Sequence, residues 1–118
     1  LAAEESWLRR WQGESPRSLR RPEEFPLLAD VRRAWIDQEQ AVRAFLAGLD
    51  DARLAADFSY TNTRGQPFTL PLGPVMLHVA NHGTHHRGEL VAMLAILEVA
   101  HPEDDLLRYL QAQVKPAA

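Results

Sequence analysis

His78, His82, His85 and His86 are four of the chain's five histidines, and all fall within the helix-forming run Leu77-His78-Val79-Ala80-Asn81-His82-Gly83-Thr84-His85-His86-Arg87-Gly88. Imidazole is the commonest biological ligand for divalent transition metals near neutral pH. Residues four apart lie about 40° apart around a helix and one turn along it, so His78, His82 and His86 form a ladder. His82 and His86 can then present nitrogens to one ion, at about 2.0–2.2 Å each. The sequence holds no cysteine. That removes thiolate ligands and a thiol nucleophile from these residues and leaves a nitrogen and oxygen shell.

A helical wheel separates the four histidines. Val75, Val79, Leu90, Met93, Leu94 and Leu97 define an apolar face centred close to His86, with His82 at its margin. These two are expected to look inward as ligands. His78 and His85 project farther from the centre and are expected at the rim or in support of the ligands. The competing reading makes inward histidines hydrogen-bonded core residues with no metal. Gly83 and Gly88 each cost a helix roughly 1 kcal/mol against alanine. Their place beside the histidines suggests close packing or ligand approach, with simple tolerance by the helix as the alternative.

These residues need a scaffold, and the composition supplies an ordinary one. A chain of 118 residues, 46% hydrophobic and 25% charged, reads as one soluble domain over residues 1–118 with a modest core. No stretch reaches the roughly 18 apolar residues of a membrane span and no signal-peptide pattern opens the chain, so a cytoplasmic location is expected. A net charge of −3 argues against a nucleic-acid surface. Arg9, Arg10, Arg17, Arg20 and Arg21 do cluster, but form no aromatic-interleaved basic stripe, and read as a solvated face with a minor anion-binding alternative.

The first helix runs from the chain start through Trp7 and Trp11, which are expected to stack at i, i+4, and stops at Gly13-Glu14-Ser15-Pro16. Leu28, Val31, Trp35, Val42, Phe45 and Leu49 continue a helical seam, with Gln38 as its polar member. Gln38 reads as a satisfied core amide or the mark of a shifted seam, ahead of a place near a polar centre in the bundle. Phe58-Ser59-Tyr60-Thr61 and Phe68-Thr69-Leu70 flank Asn62-Thr63-Arg64-Gly65-Gln66-Pro67, a short hairpin or extended loop in which Tyr60 and Asn62 can line a cleft. A long helix follows from about Leu72 to Ala100, His101-Pro102 ends it, and Asp104 to Gln113 forms a last short helix.

The segment from Leu77 to Leu90 resembles the signature of the DinB/YfiT-like family of small metal-binding four-helix proteins, which is unrelated to the polymerase sharing the DinB name. Tyr60-Thr61-Asn62-Thr63-Arg64-Gly65 and Leu1-Ala2-Ala3-Glu4-Glu5-Ser6-Trp7 resemble that family's loop and the end of its second helix. The resemblance implies an all-α, up-down four-helix bundle with a short hairpin-like loop, here a single domain lacking its N-terminal helix. It implies a nickel or zinc ion held by three histidines, two of which correspond to His82 and His86. The third would precede Leu1, so a trimmed sequence is expected.

The resemblance further implies an enzyme, a thiol-dependent S-transferase in which the metal activates a low-molecular-weight thiol against an electrophilic small molecule. His78, His85, Arg87 and Tyr60 are the supporting or cleft candidates, with Arg9, Arg10 and Arg87 as candidate anchors for carboxylates of the thiol. A non-catalytic structural or regulatory metal site and a metal-free interaction bundle remain as alternatives. No nucleic acid or membrane partner is expected. An apolar seam left uncovered, with Trp7 or Trp11 exposed, leads to the expectation of a homodimer.

Overall fold

The computed structural model describes residues 1–114, in two compact units, the first Leu1–Val79 and the second beginning at Ala80. In the first unit α1 (Ala2–Trp11) carries Glu4 and Glu5 in its first turn and Arg9 and Arg10 in its last, each matched to the helix dipole. It closes where Gly13 adopts φ +94°, a left-handed conformation that lets the Gly13 and Glu14 amides reach back to the carbonyls of Arg10 and Arg9. After a 3-10 turn at Pro22–Glu24, α2 (Leu28–Leu46) begins where the Asp30 carboxylate accepts from the Leu27 amide. The short α3 (Asp51–Ala55) is capped by Asp50, which accepts from the Arg53 amide at 2.7 Å.

The hairpin is a true sheet. Strands β1 (Asp57–Thr61) and β2 (Pro67–Pro71) pair antiparallel from Asp57 opposite Pro71 to Thr61 opposite Pro67. Asn62 builds the turn, its side-chain oxygen accepting from the amides of Arg64 and Gln66, while Gly65 takes φ +79°. Strand alternation puts Phe58, Tyr60 and Phe68 on one face as a stacked series and leaves Ser59 and Thr69 to share a 2.8 Å hydrogen bond on the other. The fold is therefore mostly helical with a two-stranded sheet, which corrects the all-α expectation.

Helix α4 (Leu72–Ile96) starts directly from β2, where the Leu72 amide donates to the Ala56 carbonyl at 3.0 Å. The Leu72 side chain is wholly buried, and with Leu8, Trp11, Phe58 and Val75 it forms the core of the first unit. Trp7, Val42, Phe45, Leu49, Tyr60, Met76 and Val79 pack around these five. The tryptophans do not stack on each other as expected. Trp11 is buried against Phe45, and Trp7 meets Tyr60 edge-on, so each indole is taken up by a ring from another element. Along the α2 seam Gln38 is buried and Val42, Phe45 and Leu49 pack partly buried against the core, whereas Leu28 and Trp35 are exposed. Gln38 is buried, but its Nε2 has no hydrogen-bond partner among the described residues, so it is not the satisfied amide expected.

In the second unit, α4 ends earlier than the composition suggests. Glu98 takes the left-handed conformation at φ 55° and the Val99 amide returns to the Leu94 carbonyl at 2.9 Å, a closure that overrides the helix-forming residues around it. Helix α5 (Leu106–Gln113) is capped by Asp105, which accepts from the Leu107 amide. Leu90, Met93 and Leu97 are exposed rather than inward-facing. No helix among the described residues is long and apolar enough to cross a membrane.

Replacing Leu72 with alanine is expected to destabilise the protein by about 2–5 kcal/mol, the usual cost of a buried leucine truncation. Urea unfolding followed by circular dichroism measures it. A loss below about 1 kcal/mol would mean that Leu72 does not anchor this core.

Candidate functional site

The four histidines sit on α4, and the helix repeat decides how they meet. His82 and His86 are one turn apart, and their Nε2 atoms lie 3.2 Å from each other, with ring centroids 4.4 Å apart. Glu89, three residues beyond His86, brings its Oε2 to 2.7 Å from His86 Nδ1. Its other oxygen lies 3.1 Å from His85 Nε2, one turn away. A single carboxylate thus engages two adjacent imidazoles through the i, i+3 and i, i+4 spacings of one helix.

The protonation pattern follows from donor chemistry. A carboxylate only accepts, so His86 Nδ1 carries the proton and, in the neutral ring, Nε2 keeps its lone pair. With His86 neutral, His82 donates from its own Nε2 to that lone pair; with His86 protonated the direction reverses. Bonding from His86, followed by the charges of His85 and His86, holds the Glu89 carboxyl below the usual carboxylate range, against an opposing effect of desolvation.

A metal ion suits this pair. Two imidazole nitrogens 3.2 Å apart match two bonds of about 2.1 Å to one ion with an angle of about 100° between them, between the octahedral and tetrahedral values. Carboxylate support of the remote ring nitrogen is the usual companion of such a ligand. Among the described residues, no group of three or more histidine, cysteine, aspartate or glutamate side chains is placed to hold a metal ion.

The remaining candidates separate. His85 is held by Glu89 with its ring 5.4 Å from that of His86. His78 lies edge-on to Trp7 at 5.9 Å, and Tyr60 rests on the same indole at 5.2 Å, so these two belong to the aromatic cluster of the first unit. Arg87 donates from Nε to both oxygens of Asp104, at 3.1 and 3.0 Å, and from Nη2 to Thr84 Oγ1 at 2.9 Å. Those bonds tie the loop before α5 to the helix. His86 and His85 are more than half exposed, with side-chain exposures of 55% and 65%, so the inward orientation expected for His86 is not found. The reason is plain: the apolar residues that share its face, Leu90 and Met93, are themselves exposed. Beside the histidines, a Cβ on Gly88 would meet nothing, which leaves helix tolerance as its account, whereas one on Gly83 would stand 3.2 Å from Arg87 Nη1, whose guanidinium is held by Asp104 and Thr84, so Gly83 fits the close-packing expectation. Glu89 was missed from the sequence, although His-His-x-x-Glu spacing on a helix signals it.

The family model described as the DinB family matches residues 1–117. No curated protein and no solved structure matches the chain.

Nitrogen-15 NMR of the metal-free protein is expected to find His86 with its proton on Nδ1 and His82 with its proton on Nε2. Glu89→Ala should return His86 to a mixture of tautomers. Because the Glu89 carboxyl is held low in the folded chain, its contribution is complete above the ordinary carboxylate range and is lost as pH falls through the lowered value. A His86 tautomer unaffected by Glu89→Ala would refute this arrangement.

Proposed function

The chain belongs to the DinB family, and from that premise we propose that it is a divalent-metal-dependent enzyme in which His82 and His86 hold nickel or zinc and a low-molecular-weight thiol is transferred to an electrophilic small molecule. The observation that carries this reading is the approach of the two Nε2 atoms to 3.2 Å on a helix whose next turn supplies the supporting carboxylate. When bound, the ion supplies Lewis acidity, which lowers the pKa of a thiol or water beside it. His82 and His86 occupy two coordination positions as neutral imidazoles. Glu89 keeps the His86 proton on Nδ1 and so keeps Nε2 available as a ligand. The exposure of His86 leaves the pair open to small molecules. The sequence holds no cysteine, so the sulfur that reacts belongs to an external thiol.

The same reading takes the helices as parts of a DinB-like up-down bundle and places the reaction in the cytoplasm, where small thiols stay reduced. It also includes a homodimer. Leu90, Met93 and Leu97 on α4 and Leu106, Leu107 and Leu110 on α5 are all exposed, more apolar surface than a monomer of this size ordinarily leaves in water. A second copy covering it satisfies that surface by symmetry.

Metal titration by calorimetry is expected to show one nickel or zinc ion per chain, with His82→Ala lowering affinity at least about tenfold. Metal-loaded protein should then consume an electrophile only when a small thiol is present, and a chelator should stop it. Loaded protein that stays inert across thiols, yet loses thermal stability on chelation, would turn the reading to a structural or regulatory metal site. Unchanged affinity in a His82→Ala/His86→Ala variant would remove the metal centre altogether.

Light scattering on a size-exclusion column is expected to give twice the chain mass, and Leu90→Glu with Leu97→Glu should halve it. A monomer at high micromolar concentration would overturn the dimer.

A further inference from the structure

The arginines near the first loop do not form one surface. Arg9 pairs with Glu14, Arg20 pairs with Glu5 and Glu24, and Arg10 is buried. Arg17 differs from these three. Among the described residues its exposed side chain has no hydrogen bond or ion pair, and neither has that of Arg64 in the hairpin turn. These two residues, far apart in sequence, line one cavity of about 520 Å³.

A hydrogen bond between distant segments holds the walls of that cavity together. Ser15 Oγ accepts from the Thr61 amide at 2.9 Å, which ties the segment after α1 to the end of β1. A hydroxyl that accepts still has its own proton to donate, and the Thr61 and Thr63 hydroxyls line the same space. Asn62 contributes less, because its oxygen accepts from the Arg64 and Gln66 amides and its Nδ2 donates to Gln66 Oε1. No carboxylate lines the cavity. A second cavity of about the same volume, at Arg20 and Arg33, is lined by Glu5, Glu24, Asp30 and Asp37, so its cations are offset from within.

Charge decides what the first cavity takes. Two guanidiniums on one space repel each other and neither can lose its proton, so an anion is favoured there. A phosphate monoester carries roughly 1.5 to 2 negative charges at neutral pH and three acceptor oxygens, which matches two cations and leaves an acceptor for a hydroxyl. A carboxylate brings one charge and two oxygens. We infer that the cavity lined by Arg17 and Arg64 is a binding site for the phosphate monoester group of a small molecule. Its volume falls in the range of about 300–1,000 Å³ usual for small-molecule pockets, so the rest of such a molecule fits beside the phosphate. The inference does not rest on the metal reading, since every residue in it lies in the first unit and none belongs to the histidine pair.

The test titrates the metal-free, full 118-residue chain with glycerol 3-phosphate and inorganic phosphate, and in parallel with glycerol and succinate, at ionic strength matched with sodium chloride. Backbone and arginine side-chain NMR is the readout. Both phosphates are expected to give saturable, one-to-one shifts centred on Arg17, Thr63 and Arg64, with glycerol silent and succinate about tenfold weaker. Arg17→Gln and Arg64→Gln should each weaken glycerol 3-phosphate about tenfold while circular dichroism stays unchanged, because both side chains are exposed. A wild-type response to the phosphates no larger than that to chloride would overturn the site, and so would either variant binding as tightly as wild type. Shifts centred on Arg20 and Arg33 instead would overturn the location. Succinate binding as tightly as glycerol 3-phosphate, or inorganic phosphate binding where glycerol 3-phosphate does not, would overturn the ligand class.

Discussion

The junction at Leu72 governs the rest of the first unit. Its amide closes onto the Ala56 carbonyl and its side chain is fully buried, so the end of the hairpin and the start of α4 are set by one residue. The first turn of α4 then has a defined rotation, with Val75, Met76 and Val79 against the core. Gly73 follows because the junction is tight. A Cβ there would stand 3.2 Å from the Leu54 carbonyl oxygen, which only a small residue tolerates without a shift.

Two levels of interaction build the histidine site. The i, i+4 spacing brings two Nε2 atoms to 3.2 Å, and Glu89 then decides which nitrogen of His86 carries the proton. Both operate within one helix and draw little from burial. Exposed hydrogen-bonded pairs of this kind contribute modestly to stability. Their effect is on orientation and protonation, which is what ligand binding requires. Arg87, by contrast, is engaged by Asp104 and Thr84 and serves the loop that precedes α5.

The first unit follows a different logic. Aromatic residues from α1 and the hairpin cooperate, with Trp7, Tyr60, Phe58 and Phe68 in successive ring contacts. Such contacts organise large apolar surfaces with few residues, which suits a small domain with five buried apolar core side chains among the described residues. Arg10 lies beside two of these rings, its Cζ 4.6 Å from the Trp7 ring centre and 5.1 Å from that of Tyr60.

Local rules were legible in the chain itself. The histidine spacing, the stop at Gly13, the Asn62–Gly65 turn and the helical segments all depend on neighbours within a few residues, and the structure contains each of them. The His85–Glu89–His86 bonding was equally readable, because it is a matter of helical repeat alone. What required tertiary structure were contacts between distant positions. Trp11 on Phe45, Trp7 on Tyr60, Arg87 on Asp104 and Arg10 beside Tyr60 join residues whose separation in sequence carries no periodic signal. Exposure of Leu90, Met93 and Leu97 belongs with them. A helical wheel identifies which residues share a face, since that is backbone geometry, but whether another surface covers that face depends on packing that no local pattern encodes.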